Sequence, residues 1–138
     1  MDEGKNKLIL LVDDDQDFLE ILSTKLKDQG FNIETAKNGK EALEKLQHIK
    51  PDLIILDVMM PEMNGIDTAI ELAKNFNLNE VKFIFLTNYG EDNPIFDKET
   101  DENFAKQIGA SAYFRKSETL ENLLSFINNF LKDNIFNL

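Results

Sequence analysis

The chain contains no cysteine, a single histidine, three prolines and only 15 basic residues against 26 acids. Without cysteine it has no disulfide, no thiolate metal ligand and no thiol nucleophile. The missing thiols also suit a reducing compartment. Its histidine, His48, lies at the end of an apolar-periodic segment near Pro51 and is expected to face solvent. A formal charge of −11 repels phosphate backbones, so direct nucleic-acid binding is not expected. For most of these acids solubility is reason enough. No apolar run approaches the ~18 residues of a membrane span, and no basic-then-apolar leader opens the chain. We therefore expect a cytoplasmic protein without membrane contact. Apolar material is ample: 42% of the 138 residues are hydrophobic, including 11 Phe, enough to bury the core of one domain without staples.

Short apolar runs alternate with helical periodicity. Leu8-Ile9-Leu10-Leu11-Val12 is continuous, as in a strand covered on both faces. Phe18, Ile21, Leu22 and Leu26 then recur at helical spacing until Gly30, a natural stop. Phe31 to Thr35 alternates like a strand near a sheet edge, and Ala42, Leu43, Leu46 and Ile49 give a second helix ended by Pro51. Leu53-Ile54-Ile55-Leu56 is the third strand, followed by a helix with Ile66, Ala69, Ile70 and Ala73. Val81 to Leu86 is the fourth strand. After a long polar loop, Phe104 and Ile108 mark a short helix closed by Gly109. Ala112-Tyr113-Phe114 is the fifth strand, and Leu120, Leu123, Leu124, Ile127 and Leu131 mark the last helix. Five β/α units in alternation predict an α/β fold with a doubly wound parallel sheet. A flavodoxin-like (βα)5 domain with strand order 2-1-3-4-5 is the expected form, the order itself by analogy.

In such a sheet ligands bind beyond the carboxyl ends of the strands, where the strand order reverses. Directly after the first run stand Asp13, Asp14 and Asp15, and after the third Asp57. Thr87 and Asn88 follow the fourth; Arg115, Lys116 and Ser117 follow the fifth. Three carboxylates, a hydroxyl and a lysine therefore converge on one edge. Carboxylates a few ångströms apart repel, and without positive charge among them some are protonated. A hard divalent cation relieves this. Mg²⁺ takes oxygen ligands octahedrally and keeps waters, so one or two carboxylates plus a phosphoryl oxygen suit it. Neither histidine nor thiolate falls in the cluster, which disfavours zinc and copper. Helix capping competes as the explanation for any single Asp, and Asp15, directly before the first helix, is assigned to it. Capping does not account for Asp57, which Val58-Met59-Met60-Pro61 follows instead of a helix start. It does not account for Lys116 either, because a cation is disfavoured at a helix N-terminus.

With these residues in place, the chain resembles the receiver domain of bacterial two-component response regulators. The resemblance rests on Leu10-Leu11-Val12-Asp13-Asp14, on Leu56 to Pro61 with Gly65, on Leu86-Thr87 and on Gly109 to Lys116. It covers roughly residues 6–132, leaving 1–5 and 133–138 as short termini and no output domain. It implies that Asp57 is the phosphoacceptor. Asp13 and Asp14 would be the acidic pair on Mg²⁺, with the Met59 backbone carbonyl completing the protein ligands. Thr87 would be the hydroxyl that turns to the phosphoryl group, Lys116 the cation that pairs with it, and Tyr113 the aromatic switch. Implied partners are a histidine kinase or histidine phosphotransfer protein as donor, and a downstream protein at the face of the fourth helix, fifth strand and fifth helix. The assembly implied is a monomer or a weak phosphorylation-dependent dimer. A lone histidine cannot make the helical-bundle phosphotransfer site, so the chain is not expected to be its own donor.

The sequence departs from the family at several places. Ser117 follows Lys116 where most members have proline; a cis Lys-Ser bond costs ~3 kcal/mol more than cis Lys-Pro, so trans is expected. Asn88 stands where a small residue is usual and narrows the site. Met59 and Tyr89, both bulky, flank the path of attacking water and are expected to shield an acyl phosphate. The Gly90–Glu102 segment is longer than in relatives and carries Ile95-Phe96 among acids, either as a tether packed on the domain or as a partner contact. The competing function is a haloacid-dehalogenase-type phosphatase, which also uses an aspartyl phosphate and Mg²⁺. Asp13-Asp14-Asp15 has its Asp-x-Asp spacing, but Asp17 stands where that class has Thr or Val, and there is little chain for a substrate cap.

Overall fold

The computed structural model describes residues 7–58, 60, 63–87, 98–116 and 120–136, with the backbone alone described for Thr87, 98–102 and 132–136. Strands β1 (Leu8–Val12), β2 (Asn32–Ala36), β3 (Leu53–Leu56), β4 (Lys82–Thr87) and β5 (Ala112–Arg115) alternate with five helices. These are α1 (Gln16–Asp28), α2 (Gly39–Lys45), α3 (Gly65–Asn75), α4 (Lys98–Ile108) and α5 (Leu120–Phe136). Neighbouring strands run parallel in the order β2-β1-β3-β4-β5, the flavodoxin-like arrangement expected by analogy.

The alternation of side chains along each strand divides the interior in two. Leu10, Val12, Ile54, Leu56, Phe83 and Phe85 pack against Ala42, Ala69, Leu72 and Ala105 of α2, α3 and α4. Ile9, Leu11, Ile55 and Ile84 pack against Leu19, Leu22, Leu123 and Ile127 of α1 and α5. Burial on both faces explains why β1 and β3 are continuous apolar runs, and each such side chain contributes about 1.5–3 kcal/mol. At the edge, β2 alternates between exposed and half-buried residues, as its sequence does.

Helix ends follow local chemistry. Asp15 caps α1 by accepting from Phe18 N at 3.1 Å, Asn38 caps α2 from Glu41 N at 2.7 Å, and Asn64 caps α3 from Asp67 N at 2.8 Å. Gly30 after α1 and Gly109 after α4 take φ of 98° and 116°, left-handed values that other residues rarely adopt. His48 is exposed, as expected.

Five expectations need correction. In α1, Ile21 is 54% exposed and Leu19 is buried instead. The inward stripe is Leu19-Leu22-Leu26, and Ile21 lies on the flanking row below Phe18. In α3, Ile70 and Ala73 are exposed while Gly65, Thr68, Ala69 and Leu72 are buried. Gly65 lies against the backbone of Asp57, and the buried face continues through Thr68, Ala69 and Leu72. In α4, Phe104 is 51% exposed and Ala105 is the buried residue. This helix also begins at Lys98, so the last five residues of the supposed Gly90–Glu102 loop are helical. Their polar side chains gave no apolar period to read. Finally, α5 continues to Phe136, past the predicted boundary at 132. Residues 1–5, the remainder of the long loop with Ile95 and Phe96, and residues 137–138 lie outside the described residues.

Gly65 is tightly held against the backbone at the end of β3. Its N–H donates to Val58 O at 2.8 Å, and a Cβ on it would lie 2.1 Å from Asp57 O and 2.8 Å from Val58 Cα. Gly65→Ala is expected to lower the unfolding free energy by about 1–3 kcal/mol through overpacking. Urea denaturation measures it, and an unchanged midpoint would show that the β3–α3 connection yields freely.

Candidate functional site

The parallel register determines which side chains meet. Val12 pairs with Leu56, Leu56 with Phe85, and Phe85 with Tyr113. Asp13 and Asp57, each one residue past the β1–β3 pair, therefore leave the sheet side by side. Their backbones are held to neighbouring strands: Asp13 N donates to Ala36 O at 3.0 Å and Asp57 N to Val12 O at 2.9 Å. Both carboxylates are buried, at 4% exposure each, whereas Asp14 is exposed. One carboxylate oxygen from each of Asp13, Asp14 and Asp57 falls within 4.8 Å of the others. The sequence expectation that these three share one locus agrees with this geometry.

Lys116, at the end of β5, closes the cluster. Its Nζ lies 2.7 Å from Asp13 Oδ2 and 3.7 Å from Asp57 Oδ2, with the side chain 10% exposed. Asp13 Oδ1 accepts from Asp15 N at 3.0 Å. Burial is the largest single influence on the ammonium and pulls its pKa down. The hydrogen bond to Asp13 and the charges of Asp57, Asp13 and Asp15 together outweigh it, so the pKa stands above the ordinary lysine value.

An all-oxygen donor set selects a hard cation. One carboxylate oxygen from each of Asp13, Asp14 and Asp57 lies within 4.8 Å of the others, so these are the residues that would hold one. The residues fit a divalent cation.

Other predicted site residues fall as follows. Tyr113 is buried, packed in the same core as Ala105 and Ala110. Thr87 ends β4, paired with Arg115; its side chain lies outside the described residues, as do Met59, Asn88, Tyr89 and Ser117. Two residues near the cluster were not assigned to it from sequence. Gly65 was noted only as part of a motif, and its close approach to Asp57 is visible only in three dimensions. Phe18 falls on a helix face by its spacing, yet Lys116 Nζ stands 4.7 Å over its ring centroid. A phenylalanine three residues after a capping Asp was the available signal.

A doubly wound sheet with buried acids and a lysine at its switch point defines a class of phosphoacceptor signalling folds. The model of the response regulator receiver domain matches residues 9–128, and the chain belongs to that family; it is a receiver domain of two-component response regulators. It is 50% identical over 84 residues to the transcriptional regulatory protein CpxR homolog of Haemophilus influenzae, covering 61% of this chain and 35% of that protein. Among solved structures, a Francisella response-regulator receiver domain superposes with TM-score 0.81 and 27% identity, covering 94% of this chain and 99% of that one. TrrA of Thermotoga maritima, solved in complex with Mg(2+)-BeF, gives TM-score 0.71 and 32% identity over 89% of this chain and 97% of that one. The chain spans between 35% and 50% of the length of the curated relatives it matches. No helix among the described residues is long and apolar enough to cross a membrane.

A lysine with a raised pKa stabilises the fold fully below its ordinary value of 10.5 and ceases to do so as pH climbs through the raised value. Lys116→Met is expected to cost about 3 kcal/mol at neutral pH, because a buried charge loses its partner. The difference from wild type should stay level through mildly alkaline pH and shrink only in stronger alkali. Denaturation in chelator buffer measures this; equal stabilities at neutral pH would show that the acids do not depend on the lysine.

Proposed function

We propose that Asp57 is the phosphoacceptor of this receiver domain and that the domain signals by changing its partner contacts, not by turning over a substrate. The carrying observation is the burial of Asp57 beside Asp13 with Lys116 Nζ 3.7 Å from its carboxylate. A carboxylate oxygen of Asp57 attacks phosphorus, the P–N bond of a donor phosphohistidine breaks, and the leaving imidazole retains its electron pair and takes up a proton. The donor is a histidine kinase or a histidine phosphotransfer protein. Asp13, Asp14, Asp57 and the Met59 carbonyl would hold Mg²⁺, which when bound neutralises charge on the transferring group. The choice of Mg²⁺ is supported by the oxygen-only donors and by the Mg(2+)-BeF complex of the Thermotoga relative.

The chain's own residues do the rest. Lys116 pairs with the phosphoryl oxygens, a preorganised cation in a largely dry site. Thr87 supplies a hydroxyl to the same group. Tyr113 already lies in the core in this structure, so the change to be tested is between this position and an outward one. The responding surface is the α4-β5-α5 face, where a downstream protein docks, or a second copy in a weak phosphorylation-dependent dimer. Family membership supports a cytoplasmic location. The phosphatase alternative has no support from the family match.

Phosphoramidate with Mg²⁺ is expected to place one phosphoryl group per chain on Asp57, as a hydroxylamine-sensitive acyl phosphate. Asp57→Asn should take no label, and Asp13→Asn should slow labelling at least about tenfold. Mass spectrometry of the intact and digested protein reads both. Label on another residue, or sustained release of phosphate from a generic ester, would overturn the assignment.

A further inference from the structure

We infer that Phe18 is the positioning residue of Lys116, its ring keeping the ammonium at the Asp13–Asp57 pair. This rests on the reading of Asp57 as phosphoacceptor and extends it to a residue outside the acidic cluster.

Phe18 is placed for this by local chemistry. Asp15 Oδ1 accepts its backbone N–H at 3.1 Å, which fixes the first turn of α1 beneath the ends of β1 and β3. The ring is half-buried at the margin of the core that Leu19, Leu22 and Leu26 fill, so α1 has its apolar stripe without it. It borders a small void of about 10 Å³ that Asp13, Asp57 and Leu86 also line. Above it Lys116 Nζ stands 4.7 Å from the ring centroid, inside the ~6 Å range over which an aromatic face attracts a cation.

The competition that the ring settles is electrostatic. Asp14, Asp15 and Asp17 are exposed at the start of α1, and each offers a flexible lysine an alternative partner in water. A lysine drawn outward to them would leave Asp13 and Asp57 buried without a cation. An aromatic ring supplies a negative face on the inner path and no hydrogen-bond acceptor to divert the ammonium. An aliphatic residue would fill the same space but not attract the charge. Packing alone is the plainer account of Phe18, and the two differ in their response to ring electronics.

The test uses the full chain. Phe18→Leu should lower the saturating rate of phosphoramidate labelling by roughly threefold to thirtyfold, with the half-saturating donor concentration little changed. Phe18→Tyr and Phe18→Trp should restore it. Phenylalanines bearing one, two and three ring fluorines at position 18 should slow labelling stepwise, since fluorine withdraws the negative face with little change in size. In urea, Phe18→Leu should shift the unfolding equilibrium less in the Lys116→Met background than in wild type, by roughly threefold. Wild-type labelling by the Leu variant, indifference to fluorine, or independent effects at the two positions would each overturn the inference. If the wild type takes no label while the urea coupling and its fluorine dependence persist, the Phe18–Lys116 placement stands and the phosphoacceptor reading fails.

Discussion

Three carboxylates a few ångströms apart stay ionised only if positive charge is supplied there, and much of this molecule answers that requirement. Asp13 and Asp57 are buried at 4% exposure, where Coulomb repulsion is far less damped than in water. Lys116 is the cation within reach, at 2.7 and 3.7 Å. Its own burial opposes its charge, yet the acids hold it protonated. Neither side of the pair is tolerable without the other. Lys116, from the end of β5, lies beside both buried carboxylates and offsets their charge.

The topology brings the two buried acids together. In the order β2-β1-β3-β4-β5, β1 and β3 are neighbours although α1, β2 and α2 separate them in the chain. The helices that leave them do so toward opposite faces, α1 with one core and α3 with the other. The crevice between is floored by strand ends and open to solvent, as at any switch point of a doubly wound sheet. Gly65 keeps this crevice narrow on one side by letting α3 close on the backbone of Asp57. On the other side Asp15 both caps α1 and donates its N–H to Asp13. One short acidic segment thereby starts a helix and orients a buried acid.

Most of this was legible in the chain because it depends on period and adjacency. A parallel strand buried on both faces must be apolar throughout, so β1, β3 and β4 declared themselves, and the first polar residue after each had to lie on the ligand-binding edge. The helix faces were harder. Ile21, Ile70 and Phe104 looked inward by composition, yet they are exposed, while Leu19, Leu72 and Ala105 are buried. In α3 one contact is set by close approach, because a Cβ on Gly65 would lie 2.1 Å from Asp57 O. That contact is a property of two segments meeting and leaves no mark on hydrophobic period. The start of α4 at Lys98 was hidden for a similar reason, since its first residues are polar.

On the proposed reading, the resting contacts also limit what phosphorylation can gain from Lys116. A ligand or modification shifts a conformational equilibrium only by its differential interaction with the two states. Lys116 is already paired with Asp13 and near Asp57 before any phosphoryl group is present. Its later contact with phosphoryl oxygens exchanges one anionic partner for another of higher charge. The lysine therefore contributes the difference between two ion pairs, which is smaller than the worth of either. On the proposed reading the rest of the switching energy comes from other groups that meet the phosphoryl group, and Thr87, at the end of β4, is the one proposed above. A ring that holds Lys116 in place is consistent with this division: it makes the cation a fixed part of the site, present before, during and after transfer, while the moving parts lie elsewhere on the β4–β5 side.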